Sequence, residues 1–245
     1  MLTSTPAIVL HAFKYGESSK IVRLMTRDLG LQSAVAKGAM RPKSKFGARL
    51  ELFSEGVAQI YTKPGRELQT LGEFDLIRQH VALAHDLDRF GYAEVLAELL
   101  IKCSPADPHP EIFCVLSDSL AALTRAGQAT VQATGVSIVW RVVSELGFAP
   151  VVEHCAVDGR EIGDGDAAFS YSDGGFVCAG CAGRRHVSRL SSADRLLVVR
   201  SLTGSPVEGV ELDAATAAAH RRLIARFVRH HLSEGRNMKA LDLWE

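Results

Sequence analysis

The sequence predicts an α+β chain of several parts: a β-rich N-terminal third, a helical remainder, and a small loop-rich insert within the helical part. Three observations carry this prediction. Residues 7 to 75 mix β-branched residues with period-two alternation, punctuated by Gly and Asp-Leu-Gly turns. Beyond about residue 80, apolar residues recur at helical spacing. Between 151 and 187 neither period holds, and three of the five cysteines gather there. With 245 residues, of which 47% are apolar, the chain can build two modest domains with real cores.

The elements follow in order. "AIVLHAFKYG" and "SKIVRLMTRDLGLQSAVAKG" read as strands. "EGVAQIYTKPGRELQTLGEFDLI" reads as a hairpin turning at Lys63-Pro64-Gly65-Arg66. About five or six short strands with frequent turns suggest a small barrel or sandwich, here over residues 1–80. "DLDRFGYAEVLAELLIKC" then places Phe90, Leu96, Leu99, Leu100 and Cys103 at near-helical spacing. "SPADPHPEIF" is a proline-rich break whose Pro110 suits the first turn of a helix. Helices are predicted at 110–126, 130–147, 191–203 and 213–233. The helical domain thus runs over 81–150 and 188–245, with the insert at 151–187 between its two parts.

Charge is balanced overall and uneven along the chain. Basic and acidic residues number 28 each, so net charge implies nothing about partners. From Lys14 to Arg49, however, nine basic residues face two acidic ones, a net +7, and from Leu50 to Leu100 the net is −5. Within "AVAKGAMRPKSKFGARLELF" lie Lys37, Arg41, Lys43, Lys45 and Arg49, with Gly38, Pro42 and Gly47 keeping the segment irregular. Cations on a flexible segment beside a barrel neutralise phosphates, and an aromatic among them, here Phe46, can stack on a base. The alternative is a solvated basic loop with Phe46 packed on the barrel.

The insert poses a metal question. Zinc favours four N or S ligands in a tetrahedron, commonly from two C-x-x-C knuckles. Cys178-Ala-Gly-Cys181 is one such knuckle, preceded by Gly174-Gly175 as in a strand pair that ends in a knuckle. The other half reads Cys155-Ala-Val-Asp158-Gly159. A cysteine at 158 would give C-x2-C-x19-C-x2-C, a strong zinc signature. As written, three thiols and a carboxylate are on offer, with His154 and His186 as other fourth ligands. The competing reading is a metal-free insert held by Phe169, Tyr171, Phe176 and Val177. No H-E-x-x-H pattern accompanies the cysteines, which argues against a hydrolytic zinc. Nor does the C-x-x-C read as the opening of a helix in a βαβ unit, as a redox motif would. Cys103 and Cys114 read as small core residues on helices.

On the last helix Arg222, Arg226 and Arg229 fall at i, i+4 and i+7, a basic stripe that is either solvated or a dock for acidic groups. His230-His231 reads as surface. Phosphate-loop, dinucleotide and nucleophile-elbow motifs are absent, so the chain reads as a non-enzyme. No apolar run reaches membrane-span length, and no secretory signal is read at "MLTSTPAIVLHAFKYGE". A reduced, cytoplasmic protein is the expectation.

Three stretches carry a family resemblance: "GE-x4-V-x-L-x-T-x2-LG", "AKGA-R--SKF-A-L", and the final C-x-x-C of "GGFVCAGC" after "ELGFAP". In this order along nearly the whole chain they resemble the bacterial RecO family of DNA-repair proteins. The resemblance implies an N-terminal OB-fold barrel, an α-helical domain and a small zinc-finger-like insert. It implies binding of single- and double-stranded DNA, strand annealing, and action with RecR, in many bacteria also RecF, to load RecA onto DNA coated with single-stranded-DNA-binding protein (SSB). It also implies binding of that protein's acidic C-terminal tail, and no catalysis. Carried over by motif, Lys14, Arg23, Lys37, Arg41, Lys43, Lys45 and Arg49 would meet DNA, and Cys155, Cys178 and Cys181 match three of four zinc cysteines. Asp158 is the departure. The Arg222 stripe is the candidate site for the acidic tail.

Overall fold

The computed structural model describes residues 1–163, 165–183, 185–205, 207–232 and 237–244. The chain divides into two compact units, Met1–Thr124 and Arg125–Glu245.

The first unit is built on a closed five-stranded barrel. Its strands are β1 (Leu2–Tyr15), β2 (Ser19–Thr26), β3 (Gly30–Ala36), β4 (Glu55–Tyr61) and β5 (Leu68–Arg78), in the order β1-β2-β3-β5-β4. β4 closes onto β1, and β3 pairs with β5 in parallel. The remaining pairs are antiparallel. A five-stranded closed barrel with this order is the OB architecture. Gly65 takes the left-handed conformation in the β4–β5 turn, with the Arg66 N–H donating to the Lys63 carbonyl. The barrel interior is filled by Ala7, Val9, Val22, Leu24, Ala34, Ala36, Ala58, Ile60, Leu71 and Phe74. At Gly56 a Cβ would collide with the Asp75 carbonyl and the Phe74 ring, so only glycine allows β4 to approach β5 there.

The alternation expected along β1 breaks once. A bulge between Val9 and His11 shifts the register against β2. Before it the odd residues Ala7 and Val9 face the core. After it the even residue Ala12 does, packed on the same cluster. An extra residue in one strand reverses the facing of everything beyond it. His11, Phe13 and Tyr15 are therefore exposed.

The segment between β3 and β4 holds the basic loop and one short 3-10 turn, Gly47–Leu50. Phe46 and Leu50 are sunk in the barrel core, Phe46 being only 1% exposed. Base stacking by Phe46 is thereby corrected: the ring anchors the loop, and its cations stand outside.

After the barrel come α1 (Val81–Ala84), α2 (Leu87–Cys103) and α3 (Pro110–Arg125). Asp86 caps α2 by accepting from the Arg89 N–H at 2.9 Å, and α2 packs on β1. Cys114 on α3 is exposed, against its expected core role, while Cys103 is half-buried. His80, at the end of the barrel, is buried between Thr124, 2.8 Å from Nδ1, and Glu55, 3.8 Å from Nε2, with Arg78 also pairing with Glu55.

The second unit centres on α4 (Val131–Glu145), buried on nearly every side, including Trp140 at its heart. Around it lie β6 (Ala167–Ser170), β7 (Gly175–Val177), the one-turn α5 (Ala179–Ala182), β8 (Ser188–Leu190), α6 (Ser192–Thr203) and α7 (Ala214–His231). A final 3-10 segment spans Lys239–Trp244. The predicted helix 213–233 ends at His231 in the structure, and Ser233 lies outside the described residues. The sheet order is β7-β6-β8, all antiparallel. Phe169 and Phe176 pair across β6–β7 and pack with Trp140 and Phe227 at ring separations of 5.3 to 6.0 Å. The insert is thus part of the unit's aromatic core. No helix among the described residues is long and apolar enough to cross a membrane.

Two outcomes follow. Phe46→Ala leaves a cavity in the barrel and lowers stability by about 3–5 kcal/mol in urea titrations. Burial holds the His80 ring below the ordinary histidine pKa, against the opposing pull of Glu55. The unfolded ring therefore takes up its proton at higher pH than the folded one. Stability present above the ordinary histidine range is lost as pH falls through it, and the loss levels off below the folded value. The urea midpoint drops between about pH 7.5 and about pH 5.5, and His80→Asn shrinks that drop.

Candidate nucleic-acid face and candidate metal centre

The seven cations read from the sequence all sit on or beside the barrel. Lys14 ends β1, and Arg23 lies on β2 directly opposite His11. Lys37 follows β3, and Arg41, Lys43, Lys45 and Arg49 line the loop anchored by Phe46 and Leu50. Six are exposed and Arg23 is half-buried. Gly38 is left-handed and packs against the Arg41 side chain. Lys45 Nζ stands 5.6 Å from the Phe46 ring centroid, and an Arg49 guanidinium nitrogen lies 3.5 Å from the Phe74 carbonyl. Neighbouring cations are neutralised: Lys20 pairs with Glu51 at 3.4 Å and Arg27 with Asp28 at 3.0 Å. Among the described residues none of the seven forms an ion pair. Such a face is an unneutralised positive field, suited to polyanions.

Local backbone rules assemble the cysteine cluster. Val151 bridges to Gly175, where any Cβ would collide with the Val151 backbone. This brings the Cys155 turn alongside the end of β7. Gly159, left-handed, lets its N–H donate to the Cys155 carbonyl at 2.9 Å, and the Cys155 N–H donates to the Arg160 carbonyl at 2.7 Å. On the other side the Cys181 and Ala182 N–H groups donate back to the Cys178 carbonyl. The Cys178 N–H donates to Cys155 Sγ at 3.3 Å.

One ligand atom each from Cys155, Asp158, Cys178 and Cys181 lies within 4.8 Å of all the others. The Asp158 carboxylate oxygen stands 3.4 Å from Cys181 Sγ and 3.6 Å from Cys178 Sγ. A tetrahedral ion with metal–sulfur bonds of about 2.3 Å and metal–oxygen bonds of about 2.1 Å requires sulfur–oxygen edges of about 3.6 Å. The donor set fits a divalent cation. His154 and His186 are exposed and lie outside the cluster.

The cluster is also electrostatically crowded. Hydrogen bonding from Cys155, then from the Arg160 N–H, holds the Asp158 carboxyl down at about 2. Hydrogen bonding with Cys178, then burial, then Asp158, pushes the Cys181 thiol up to about 12. Burial raises the Cys155 thiol, but N–H groups from Cys178, Asp158 and Val157 outweigh it and leave it below the ordinary value. Thiols that share protons around a fixed carboxylate release them to a cation. The chemistry such an ion would supply here is a crosslink between two turns. One correction concerns the motif's setting: Cys178 does cap a helix that follows a strand, the one-turn α5 after β7. The sheet is antiparallel, however, so these strands form no βαβ unit among the described residues.

The arginine stripe is split. Arg222 and Arg226 line a cavity of about 330 Å³ with Arg189, Asp194, His220, Leu190 and Leu223. Arg229 instead pairs with Asp242 at 2.6 Å. Buried His220 donates from Nε2 to Asp194 at 3.0 Å, tying α7 to the start of α6. The sequence reading missed Arg189, which sits on a three-residue strand too short to show a period. It also missed the exposed rings of His11, Phe13 and Tyr15. His231, read as surface, is half-buried and donates to the Tyr171 carbonyl at 2.6 Å.

The cluster's burial sets an order of thiol reactivity. Alkylation of the metal-free protein modifies exposed Cys114 first, then half-buried Cys178 and Cys181, and Cys155 last, as followed by peptide mass mapping. A divalent cation protects the three clustered thiols and leaves Cys114 reactive.

Two family models together span nearly the whole chain: the recombination protein O N-terminal model over residues 1–80 and the C-terminal model over 84–240. Curated proteins named DNA repair protein RecO are similar along most of their length. That of Anaeromyxobacter dehalogenans is 31% identical over 239 residues, covering 95% of this chain and 92% of its own. That of Rhodopirellula baltica is 34% identical over 203 residues, covering 82% and 74%. That of Rubrobacter xylanophilus is 32% identical, covering 92% and 88%. With an OB barrel, a helical unit and a knuckled insert in the matching order, this chain belongs to the recombination protein O (RecO) family.

Proposed function

We propose that this chain acts in DNA repair and recombination as a DNA-binding mediator. The observation that carries the reading is the set of seven cations on the barrel, unpaired among the described residues, in a chain of this family. Lys14, Arg23, Lys37, Arg41, Lys43, Lys45 and Arg49 release counterions from phosphates, giving sequence-independent, salt-sensitive binding of single- and double-stranded DNA. A face that neutralises two strands together lowers their repulsion, which is what annealing requires. With RecR the protein then helps load RecA onto single strands coated by SSB, in the cytoplasm at the nucleoid. The acidic tail of SSB docks on Arg222 and Arg226, the two stripe residues that share a cavity, with Arg229 joining when Asp242 is displaced. The protein has no catalytic role in this scheme.

The proposed metal is zinc, held by Cys155, Asp158, Cys178 and Cys181. Three thiolates select a soft divalent ion, and four protein ligands leave no open position for catalysis.

Fluorescence anisotropy with labelled oligonucleotides across a salt series tests DNA binding. Replacing Lys37, Lys43 and Arg49 together by Gln flattens the log K against log salt slope by about 0.7–0.9 for each phosphate no longer neutralised. An unchanged slope removes these residues from the interface. Wild-type protein that fails to bind DNA even at low salt would make it a protein-interaction adaptor. Elemental analysis of untagged protein should find about one zinc per chain. Asp158→Ala should lower that content, and acidification should release the ion because the thiols reclaim their protons. Protein without zinc in either form means that the aromatic packing alone holds the insert.

A further inference from the structure

We propose that His11, Phe13 and Tyr15 form a stacking platform for unpaired bases, which makes the barrel select single-stranded DNA over duplex. The inference rests on the DNA-binding reading above and adds a strand-selecting surface to it.

Four observations support it. Beyond the β1 bulge these three residues alternate on the outer face of the barrel, all exposed, with Phe13 at 43% and Tyr15 at 50%. The His11 and Phe13 rings lie 5.6 Å apart and tilted by 47°, so they form one surface rather than isolated side chains. Across the sheet, Phe13 stands opposite Ile21, which stands opposite Val35, both half-buried, so the ring row continues as an apolar strip. Cations flank that strip: Arg23 opposite His11, and Lys37 two residues beyond Val35.

The arrangement is selective about occupants. Large rings left in water beside cations are a poor solution for stability alone, since the first half of the same strand is fully covered at Ile8 and Leu10. Every base has a π face, so aromatic stacking tolerates any sequence. In a duplex those faces are covered by neighbouring pairs, and only the phosphates remain accessible. The cations therefore serve both forms of DNA, and the rings serve single strands. The bulge is what aims the rings outward.

The test compares wild type with the Phe13→Ala/Tyr15→Ala double variant. Each is titrated with oligodeoxythymidine and with a duplex of equal length at several salt concentrations. Single-strand affinity should fall about tenfold or more. Duplex affinity should stay within about twofold and both salt slopes should be unchanged, because no cation is removed. Tyr15→Phe keeps a ring and should bind normally. In a Tyr15→Trp variant the indole fluorescence should be quenched by the oligonucleotide and not by the duplex.

Wild-type single-strand affinity in the double variant overturns the inference while leaving the DNA-binding reading intact. Equal loss for both forms of DNA also overturns it. If the double variant fails to fold, Tyr15→Trp decides, and absence of selective quenching is fatal. A variant that turns a dimer into a monomer in sedimentation with DNA affinity unchanged would make the strip a self-association surface instead. Wild-type protein that binds neither DNA form would sink the broader reading and this inference together.

Discussion

The path from β3 to β4 governs the N-terminal unit. β3 pairs with β5, and β4 pairs with β1, so the consecutive strands β3 and β4 are not neighbours in the closed sheet. The chain must leave one wall and rejoin another, and residues 37–54 make that crossing. A crossing of this length needs anchors, or its ordering entropy goes unrepaid. Phe46 and Leu50 are the anchors, both sunk into the barrel interior. Ala39 joins them in the core, while Lys37, Arg41, Lys43, Lys45 and Arg49 stand exposed along the connection. Closure of the barrel thus decides that its basic residues share the outside of one connection.

The same economy holds in the second unit. Two β-strands too short to be stable alone are held from one side by Phe169 and Phe176 against Trp140 and Phe227. From the other side they meet the turn of Cys155, drawn in by the Val151–Gly175 bridge. Aromatic packing positions the donor atoms before any ion arrives. An aspartate in the fourth place would give a site of three thiols one harder ligand. The aromatic core holds the two turns together independently of that ligand.

Much of the site was legible in sequence because it depended on composition and short spacing. Clustered cations in a Gly- and Pro-containing loop, a C-x-x-C preceded by Gly-Gly, and C-x-x-D followed by Gly are each local features of the sequence. Asp158 rather than His154 or His186 joins the cluster because the turn itself aims it: its side chain already accepts from the Arg160 N–H at 3.2 Å. The fate of the aromatics was not legible. Phe46 looked available among charges and is buried, whereas Phe13 and Tyr15 looked like ordinary strand residues and are exposed. Exposure of a ring depends on which partner strand covers it, and a loop's composition carries no record of its anchor.

By itself the sequence determined the β-then-helical order, the hairpin at Lys63–Arg66, the helices within a few residues, the basic bias of the barrel and the three clustered thiols with their candidate fourth partners. Each follows from period, turn chemistry or spacing, which are local properties. Only the tertiary structure decided strand order, the parallel β3–β5 pairing, the division of the arginine stripe and the facing of β1. The last shows why most plainly. Strict alternation carried on from Ala7 and Val9 would turn His11, Phe13 and Tyr15 into the core. One extra residue at Leu10 reverses them. A bulge is set by the register of two strands, and register is a property of the pair that neither strand carries alone.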